Sequence, residues 1–508
     1  MMPDMMLTGR LDILTATERI TADNVVKEVN KAIPYHLQNL MAEEYLYWYR
    51  RGIQPVLERT KERNTFVLNK VVENHAEEFC AFKNGYFLQE PAFYVSRTES
   101  AQSKVDKLNE YLYRSGKQAA DNRVADWFHT AGKGALFVEP SDDNEVPLLA
   151  YDLDPRSAFV VYSMRPGNRP VFACNMVTDD DTVYIDCFTE DAVYRIYGRF
   201  ADTEDRTTGF PNYETMALEL RRTEKNQLGH IPIIEYRYNS SNMACYEAAV
   251  SLFDSINELQ SARTDGVDQT IQSLAIGINI DFDADVTAKQ IKEAGLLLIK
   301  SVGENKADFK LLTEELNQDQ TQTLVDNLYE QALRICAMPS STKGGRSTSD
   351  TGQAVIFRDG WEQAASATRN TEDLFRESNR YFDEILIDVL KRKGILDIDI
   401  NDFELNFVRN ETANVQSKAQ AFQTLLAAGL HPELAALKSG ISNDPVSDIQ
   451  MSEKYMKMVW GDPDAKMEEI EQAKQTGNLQ AEETASKGEA EIIEEDNNNG
   501  ENEVGGPV

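Results

Sequence analysis

The chain has 508 residues, 41% hydrophobic and 9% aromatic, so it is long and apolar enough to form cores in about two to four domains. Its net charge of −33 argues against a protein that grips nucleic acid over a broad basic face, because such binding depends on Lys and Arg neutralising phosphates. No apolar run approaches the roughly 20 residues that span a bilayer, and no charged region followed by an apolar one opens the chain, so we expect neither a membrane span nor a secretory signal.

Cysteine and histidine residues are too scattered to predict a metal or redox site. The five cysteines contain no C-x-x-C pair, and the five histidines form no H-E-x-x-H motif. Reduced thiols that pack as small apolar residues are the simplest interpretation. We therefore expect no cofactor.

Residues 1–125 are predicted to be mainly helical. Pro34 and Pro55 are expected to break the first helices. The stretch NTFVLNKVVENHAEEFCAF places apolar side chains on one helical face, which predicts a helix that ends near Gly85. A short extended segment, YFLQEPAFYVS, and two further helices complete this region.

Residues 126–240 are predicted to form a β-rich domain. Short β-branched and aromatic segments such as AFVVYSM, VFACNMV and TVYIDCFT are separated by Asp, Gly, Pro and Asn. This pattern is typical of an antiparallel sheet. The region contains no glycine-rich nucleotide fingerprint and no carboxylate pair that stands out from surface acids.

A helix is predicted over residues 241–269, followed by a small α/β piece over residues 270–316. In that piece AIGINIDF, LLLIKS and FKLLTEE are predicted strands, and DVTAKQIKEAG is a predicted short helix between Asp285 and Gly295. Another helix follows over residues 317–339 and stops at Pro339.

The last third contains a loop, a long helix and a polar tail. Residues 340–352 are the loop, and residues 353–409 are a helix of about forty residues with a plausible kink at Gly360, followed by an alternating return strand. Three helices are predicted over residues 410–460: two are separated by a break at Gly429 and Pro432, and DPVSDIQMSEKYMKMVW forms the third. Residues 461–508 carry fourteen acids against three Lys and are expected to be disordered.

The loop MPSSTKGGRSTSDTGQAV invites comparison with a phosphate-binding loop. That motif needs G-x-x-x-x-G-K-[ST] between a strand and a helix. Here Lys343 precedes Gly344 and Gly345, and the segment before the loop has helical rather than strand spacing. The motif therefore fails in order and in context, and a flexible loop between two helices remains the simpler interpretation.

The ordered combination of elements resembles the portal protein of long-tailed bacteriophages. The stretches that carry the resemblance are KNGYFLQEPAFYVS, YDLDPRSAFVVYS, LGHIPIIEYRYNSSN and GGRSTSDTGQAVIFRDGWEQAASATRNTEDLFRESNRYF. It extends over nearly the whole chain, to about Trp460. The resemblance implies an α+β portal fold with a helical stem, β-rich wing, small α/β clip and helical crown, assembled as a ring.

The resemblance also implies roles for each region. Residues 1–125, 126–240 and 353–409 would form the wing, 241–269 and 317–339 the stem, 270–316 the clip and 410–460 the crown. The ring, usually of twelve subunits, would sit at one vertex of the capsid and pass double-stranded DNA during packaging and ejection. Implied partners are the terminase large subunit at the clip, head-completion and neck proteins, and major capsid and scaffolding proteins. The protein would be assembled in the host cytoplasm and located in the virion, with no membrane contact.

Residues 340–352 would be the tunnel loop at the narrow point of the channel. A moving duplex needs contact without adhesion, and phosphate contacts carry no sequence information. Repeated around a ring, Lys343 and Arg346 would give a thin positive collar on an otherwise acidic wall. The candidate DNA-contacting residues are Ser341, Thr342, Lys343, Gly344, Gly345, Arg346, Ser347 and Thr348.

Two other functions were weighed against this interpretation. A nucleotide-dependent motor would need a phosphate cradle, paired acids at strand ends and a basic finger, and the sequence offers no such set. We therefore expect no enzymatic activity. The other is a ring-forming head–tail connector or scaffold protein of a virion without a DNA-translocating channel; such proteins are usually much shorter than this chain.

Overall fold

The computed structural model describes residues 7–61, 67–179, 182–199, 216–271, 275–278, 308–311, 318–340, 360–408 and 415–442, with residues 448–449, 451–452 and 455. These residues form a mixed α and β structure, which confirms the predicted α+β class. The chain divides into two compact units. Unit 1 comprises residues 1–95 and 103–413, and unit 2 comprises residues 96–102 and 414–508.

Nine helices lie in the described residues: α1 (Val25–Arg50), α2 (His75–Phe87), α3 (Gln102–Arg114), α4 (Lys117–Ala131), α5 (Val250–Ile271), α6 (Gln318–Ile335), α7 (Trp361–Arg392), α8 (Val415–Ala427) and α9 (Pro432–Ser439). Short 3-10 turns occupy Pro55–Glu58, Glu99–Ala101 and Glu247–Ala249. Helix α7 has 32 residues and is about 48 Å long at 1.5 Å per residue.

The described strands are β1 (Ile13–Thr15), β2 (Phe93–Ser96), β3 (Lys133–Pro140), β4 (Leu148–Leu153), β5 (Ala158–Ser163), β6 (Pro170–Asp179), β7 (Thr182–Phe188), β8 (Ala192–Arg199), β9 (Ala217–Lys225), β10 (Ile233–Arg237), β11 (Ala275–Ile278), β12 (Asp308–Leu311) and β13 (Phe403–Asn406). They form four sheets, ordered β1-β5-β6-β7-β8-β9, β10-β3-β4, β11-β12 and β13-β2. Strands thus dominate the region where the two-residue period predicted them.

The six-stranded sheet is antiparallel from β5 to β9, and β1 adds to its edge in parallel, with Ile13 opposite Val161. One face packs against α1 through Val29, Phe172 and Ile185. Strand β1 lies in the region that was predicted to be helical. A strand of three residues is too short to show a two-residue period in the sequence, and its partner strand β5 lies far along the chain.

Pro34 lies inside α1, so the predicted break at this residue is wrong. A proline inside a helix costs about 3 kcal/mol because it removes one backbone hydrogen bond and crowds the preceding turn. Burial of neighbouring side chains offsets that cost: Pro34 itself is exposed, whereas Val29 and Ile33 are buried in the apolar cluster that α1 forms with the sheet. Each buried aliphatic side chain contributes about 1.5–3 kcal/mol.

The helix predicted over NTFVLNKVVENHAEEFCAF begins only at His75, and residues 67–74 have no regular secondary structure. Alternate backbone N–H groups of this segment bond to side chains on one face of α5. The bonds join Asn69 to Asp265 (2.7 Å), Val71 to Ser261 (2.9 Å) and Glu73 to Asn257 (2.8 Å). Every second residue of the extended segment meets every fourth residue of α5, because two extended residues span about 6.6 Å and four helical residues span about 6 Å. These side chains replace the hydrogen bonds that a helix would supply.

Gly360 directly precedes α7 and has φ +77°, so it does not kink that helix as predicted. Left-handed backbone interrupts an α-helix, and glycine adopts it without steric cost. The other predicted part of this helix, residues 353–359, lies outside the described residues. Strand β13 then returns as predicted and pairs with β2.

Unit 2 contains α8 and α9, a helical hairpin that was predicted with its break at Gly429 and Pro432. Gly429 has φ +85°, and Pro432 is the first residue of α9. Ala435 and Ala436 of α9 are buried.

Candidate functional site

The residues predicted to contact DNA, Ser341 to Thr348, lie outside the described residues. The structure describes the chain on both sides of them, up to Ser340 and again from Gly360. Residues 336–340 and 360–361, which flank the predicted loop, are called its base.

Helix α6 ends in a Schellman-type turn just before the loop. The N–H of Met338 donates to the carbonyl of Leu333 (2.8 Å), and the N–H of Ala337 donates to that of Arg334 (3.2 Å). Such a turn requires a left-handed residue, usually glycine. Here Ala337 takes this conformation, with φ +49°.

Replacing Ala337 by glycine should raise the free energy of unfolding by about 0.5–1 kcal/mol, because glycine adopts positive φ without the clash that a Cβ introduces. Chemical denaturation at fixed protein concentration measures the change. Ala262, an exposed residue within α5, is the matched control. Ala262→Gly should lower the free energy of unfolding by about 1 kcal/mol. Equal destabilisation by both changes would show that Ala337 is not strained.

The chain leaves and re-enters the described structure at nearly the same point. A Cβ added to Gly360 would lie 3.8 Å from the Met338 carbonyl oxygen and 3.9 Å from the Pro339 Cα. Ser340 and Gly360, the described residues on either side of 341–359, therefore lie close together, one after the end of α6 and the other just before α7.

Helix α2 contacts both ends of the loop. The Lys83 ammonium donates a hydrogen bond to the carbonyl oxygen of Ala337 (2.9 Å) at the departing end. At the returning end, the rings of Phe82 and Tyr86 lie 5.9 and 6.1 Å from that of Trp361. Helix α2 thus contacts the chain on both sides of residues 341–359, at Ala337 and at Trp361.

Lys83 is only 3% exposed, an unusual position for a lysine. Burial lowers the pKa of its ammonium, while the nearby Cys245 and Cys336 act in the opposite direction. A cation at the carboxyl end of α6 also complements the helix dipole. Nothing in the spacing of the sequence distinguishes this lysine from a solvated one, so sequence reasoning missed it.

Helices α5 and α6 pack against each other in an apolar cluster that includes Phe253, Ile256, Val325 and Leu333. The charged residues of the two helices are mostly acids. Glu258, Asp319 and Arg334 are exposed, and Asp254, Arg263, Asp268, Asp326 and Glu330 are half-buried.

A family model matches residues 33–482, and its description is phage portal protein, SPP1 Gp6-like. The match covers nearly the whole chain.

The chain belongs to this portal protein family.

No curated protein matches it. The family is structural rather than enzymatic, and it implies a location in the virion capsid and assembly into an oligomeric ring with other phage head and tail proteins. The resemblance inferred from the order of elements is thereby confirmed.

In this portal family member, the described residues contain no cluster of three or more His, Cys, Asp or Glu side chains arranged to hold a metal ion. No described helix is long and apolar enough to cross a membrane. The five cysteines are all buried and unpaired by disulfides.

A buried polar network joins α7 to α4 and β2. Lys117 donates hydrogen bonds to Asp121 and to the Asn379 side-chain oxygen (3.0 Å), and Tyr94 donates to Asp383. Burial raises the pKa of Asp383 to about 7, opposed mainly by the Tyr94 hydrogen bond and by Lys117. Burial also raises the pKa of Asp121. Asn379 and Asp383 thus give α7 buried polar contacts with α4 and β2.

Proposed function

We propose that this chain forms a ring of about twelve subunits at one capsid vertex, and that double-stranded DNA passes through its central channel during packaging and ejection. The observation that carries this proposal is the portal family match over residues 33–482. The alternative, a ring-forming connector or scaffold protein without a DNA-translocating channel, is an outcome of the experiments below.

Regional roles follow from the portal plan. Helices α5 and α6 would lie in the stem, residues 270–316 would be the clip, and α8 and α9 would be part of the crown. Residues 1–125, 126–240 and 353–409 would form the wing. The antiparallel pairing of β11 with β12 joins the two ends of the proposed clip, because Ala275 lies opposite Leu311. The clip would meet the terminase motor and later the neck and head-completion proteins, and the capsid and scaffolding proteins would surround the ring.

The loop over residues 340–352 is the proposed contact with DNA, through Lys343 and Arg346. Two features support this proposal. The described residues on either side, Ser340 and Gly360, lie close together at the end of a proposed stem helix. The charged residues of α5 and α6 are mostly acids, which suits a wall past which a polyanion moves, because each added cation would increase adhesion to phosphate.

Neutralising the loop with Lys343→Gln and Arg346→Gln tests the DNA-contact role. We expect rings of unchanged size but slower packaging in an assay with purified motor and proheads. A solvated ion contact is worth less than about 1 kcal/mol, so the rate should fall by up to roughly fivefold. The slowing should shrink at high salt, where such contacts are screened.

Lys27, an exposed residue of α1, supplies the matched control because Lys27→Gln removes the same charge away from the loop. Its packaging rate should equal that of the wild type. If the loop variant packages DNA at the wild-type rate and with the wild-type salt dependence, Lys343 and Arg346 do no more than solvate the loop.

A further inference from the structure

A small cavity lies between α1, the six-stranded sheet and the β10-β3-β4 sheet, under the N-terminal strand. Its volume is about 20 Å³, and its walls are mixed: the apolar side chains include Leu11, Ile13, Phe159 and Ile233, and the polar ones are His36, Asn39, Glu43, Lys133 and Glu235. A cavity needs about 10–15 Å³ to hold one water molecule. The space is therefore large enough for one or two ordered waters.

Two polar atoms that line this cavity are buried without a hydrogen-bond partner among the described residues. They are Nε2 of His36 and Oε2 of Glu43, whose residues are 1% and 3% exposed. The residues are seven positions apart on α1 and so lie on the same face. An unpaired buried polar group is costly, which is why nearly all such groups in folded proteins have a partner.

Protonation fixes which groups donate and which accept. Burial lowers the pKa of His36 to about 4, and its other ring nitrogen faces the backbone of Arg156, which leaves Nε2 as a hydrogen-bond acceptor. Burial raises the pKa of Glu43 to about 8 against the opposing effect of Arg10 and Lys133. At neutral pH the cavity thus presents an acceptor and a neutral carboxyl group that can both donate and accept.

These hydrogen-bonding groups determine which ligand the cavity can bind. A cation is disfavoured because the Lys133 ammonium lines the same cavity. An anion is disfavoured because the Glu235 carboxylate also lines the cavity, where it already pairs with the Lys133 ammonium (3.1 Å). Water can donate to the imidazole and also pair with the carboxyl group, and it fits the volume.

We propose that the cavity is a binding site for one or two ordered water molecules, which hydrogen-bond Nε2 of His36 and Oε2 of Glu43. These waters would add to the polar contacts between α1 and the N-terminal segment. In those contacts the Asn39 side chain accepts a hydrogen bond from the N–H of Leu11 (2.7 Å) and donates one to its carbonyl (2.9 Å). This inference does not depend on the proposed DNA channel.

A density map of the full-length protein, at a resolution where ordered waters are visible, tests the site. We expect peaks in the cavity within about 2.6–3.2 Å of both Nε2 and Oε2. A cavity without such density, in a map that shows waters elsewhere in the same sheets, overturns the proposal.

Variant maps test the assigned partners. Glu43→Leu should remove the peak next to residue 43, whereas Glu43→Gln should retain it because an amide can both donate and accept. Gln38→Leu is the matched control, since Gln38 is an exposed residue of the same helix, and it should leave the peaks unchanged. A peak that persists in Glu43→Leu contradicts the assignment.

Discussion

Replacing Glu247 by leucine should lower the free energy of unfolding by about 3–5 kcal/mol, because it leaves a buried charge without its partner. Glu247 accepts a hydrogen bond from the Arg10 guanidinium at 2.7 Å, and both side chains are at most 1% exposed. It also accepts from the backbone N–H groups of Gly9 (3.1 Å) and Ala244 (2.7 Å). In the variant, Arg10 would still donate to the Ala131 carbonyl (2.9 Å), but a carbonyl group does not neutralise the charge of the guanidinium.

Chemical denaturation at one fixed protein concentration measures this loss, since ring assembly makes apparent stability depend on concentration. The double variant Arg10→Met with Glu247→Leu should recover much of it, because a buried ion pair can often be replaced by apolar groups at little cost. Asp191→Ala is the surface control: Asp191 pairs with Arg19 at 3.3 Å, but the two side chains are 78% and 80% exposed. Its effect should stay within about 0.5 kcal/mol. If Glu247→Leu lowers the free energy of unfolding no more than Asp191→Ala does, the buried pair does not hold the N-terminal segment.

Replacing Lys117 by methionine should destabilise the chain by a similar amount, about 3–5 kcal/mol near pH 7, and should steepen the dependence of stability on pH. Lys117 is 2% exposed and is the cation that faces two buried carboxyl groups, Asp121 and Asp383. The other titratable groups around Asp383 are Tyr94 and Glu384, of which Glu384 raises its pKa. Without the ammonium, ionisation of either buried acid becomes more costly.

The sign of the pH dependence follows from the raised pKa of Asp383. Its folded value of about 7 lies above the ordinary 3.8, so its contribution to stability is fully present below about pH 3.8 and is lost as pH rises through about 7. Asp383→Asn should therefore flatten the stability profile between these pH values relative to the wild type. A wild-type profile with the same slope as that of Asp383→Asn would refute the raised pKa.

The sequence predicted those parts of the fold whose signals are local. The two-residue period from Leu136 to Tyr236 identified the sheets, and Gly429 with Pro432 identified the hairpin of α8 and α9. The parts it missed depend on distant partners. Strand β1 exists because β5 offers an edge, and residues 67–74 are held by the polar face of a helix some 190 residues away, as in the bond from Val71 to Ser261.

For the candidate site, the sequence identified the family and predicted a loop between two helices, but it did not predict the contacts on either side of that loop. Lys83 and Trp361 lie on helices whose spacing is ordinary, and their role depends on the approach of α2 to Ala337 and to the start of α7. A lysine on an amphipathic helix normally predicts a solvated charge. Only tertiary contacts distinguish this buried lysine from its exposed counterparts.

Cryo-electron microscopy of the purified full-length protein tests the central claim most directly. The portal account predicts closed rings of about twelve subunits, with a central channel wide enough for a DNA duplex and with the loops over residues 340–352 directed into it. A protein that remains monomeric or dimeric at every concentration, or rings whose loops face away from the channel, would contradict it.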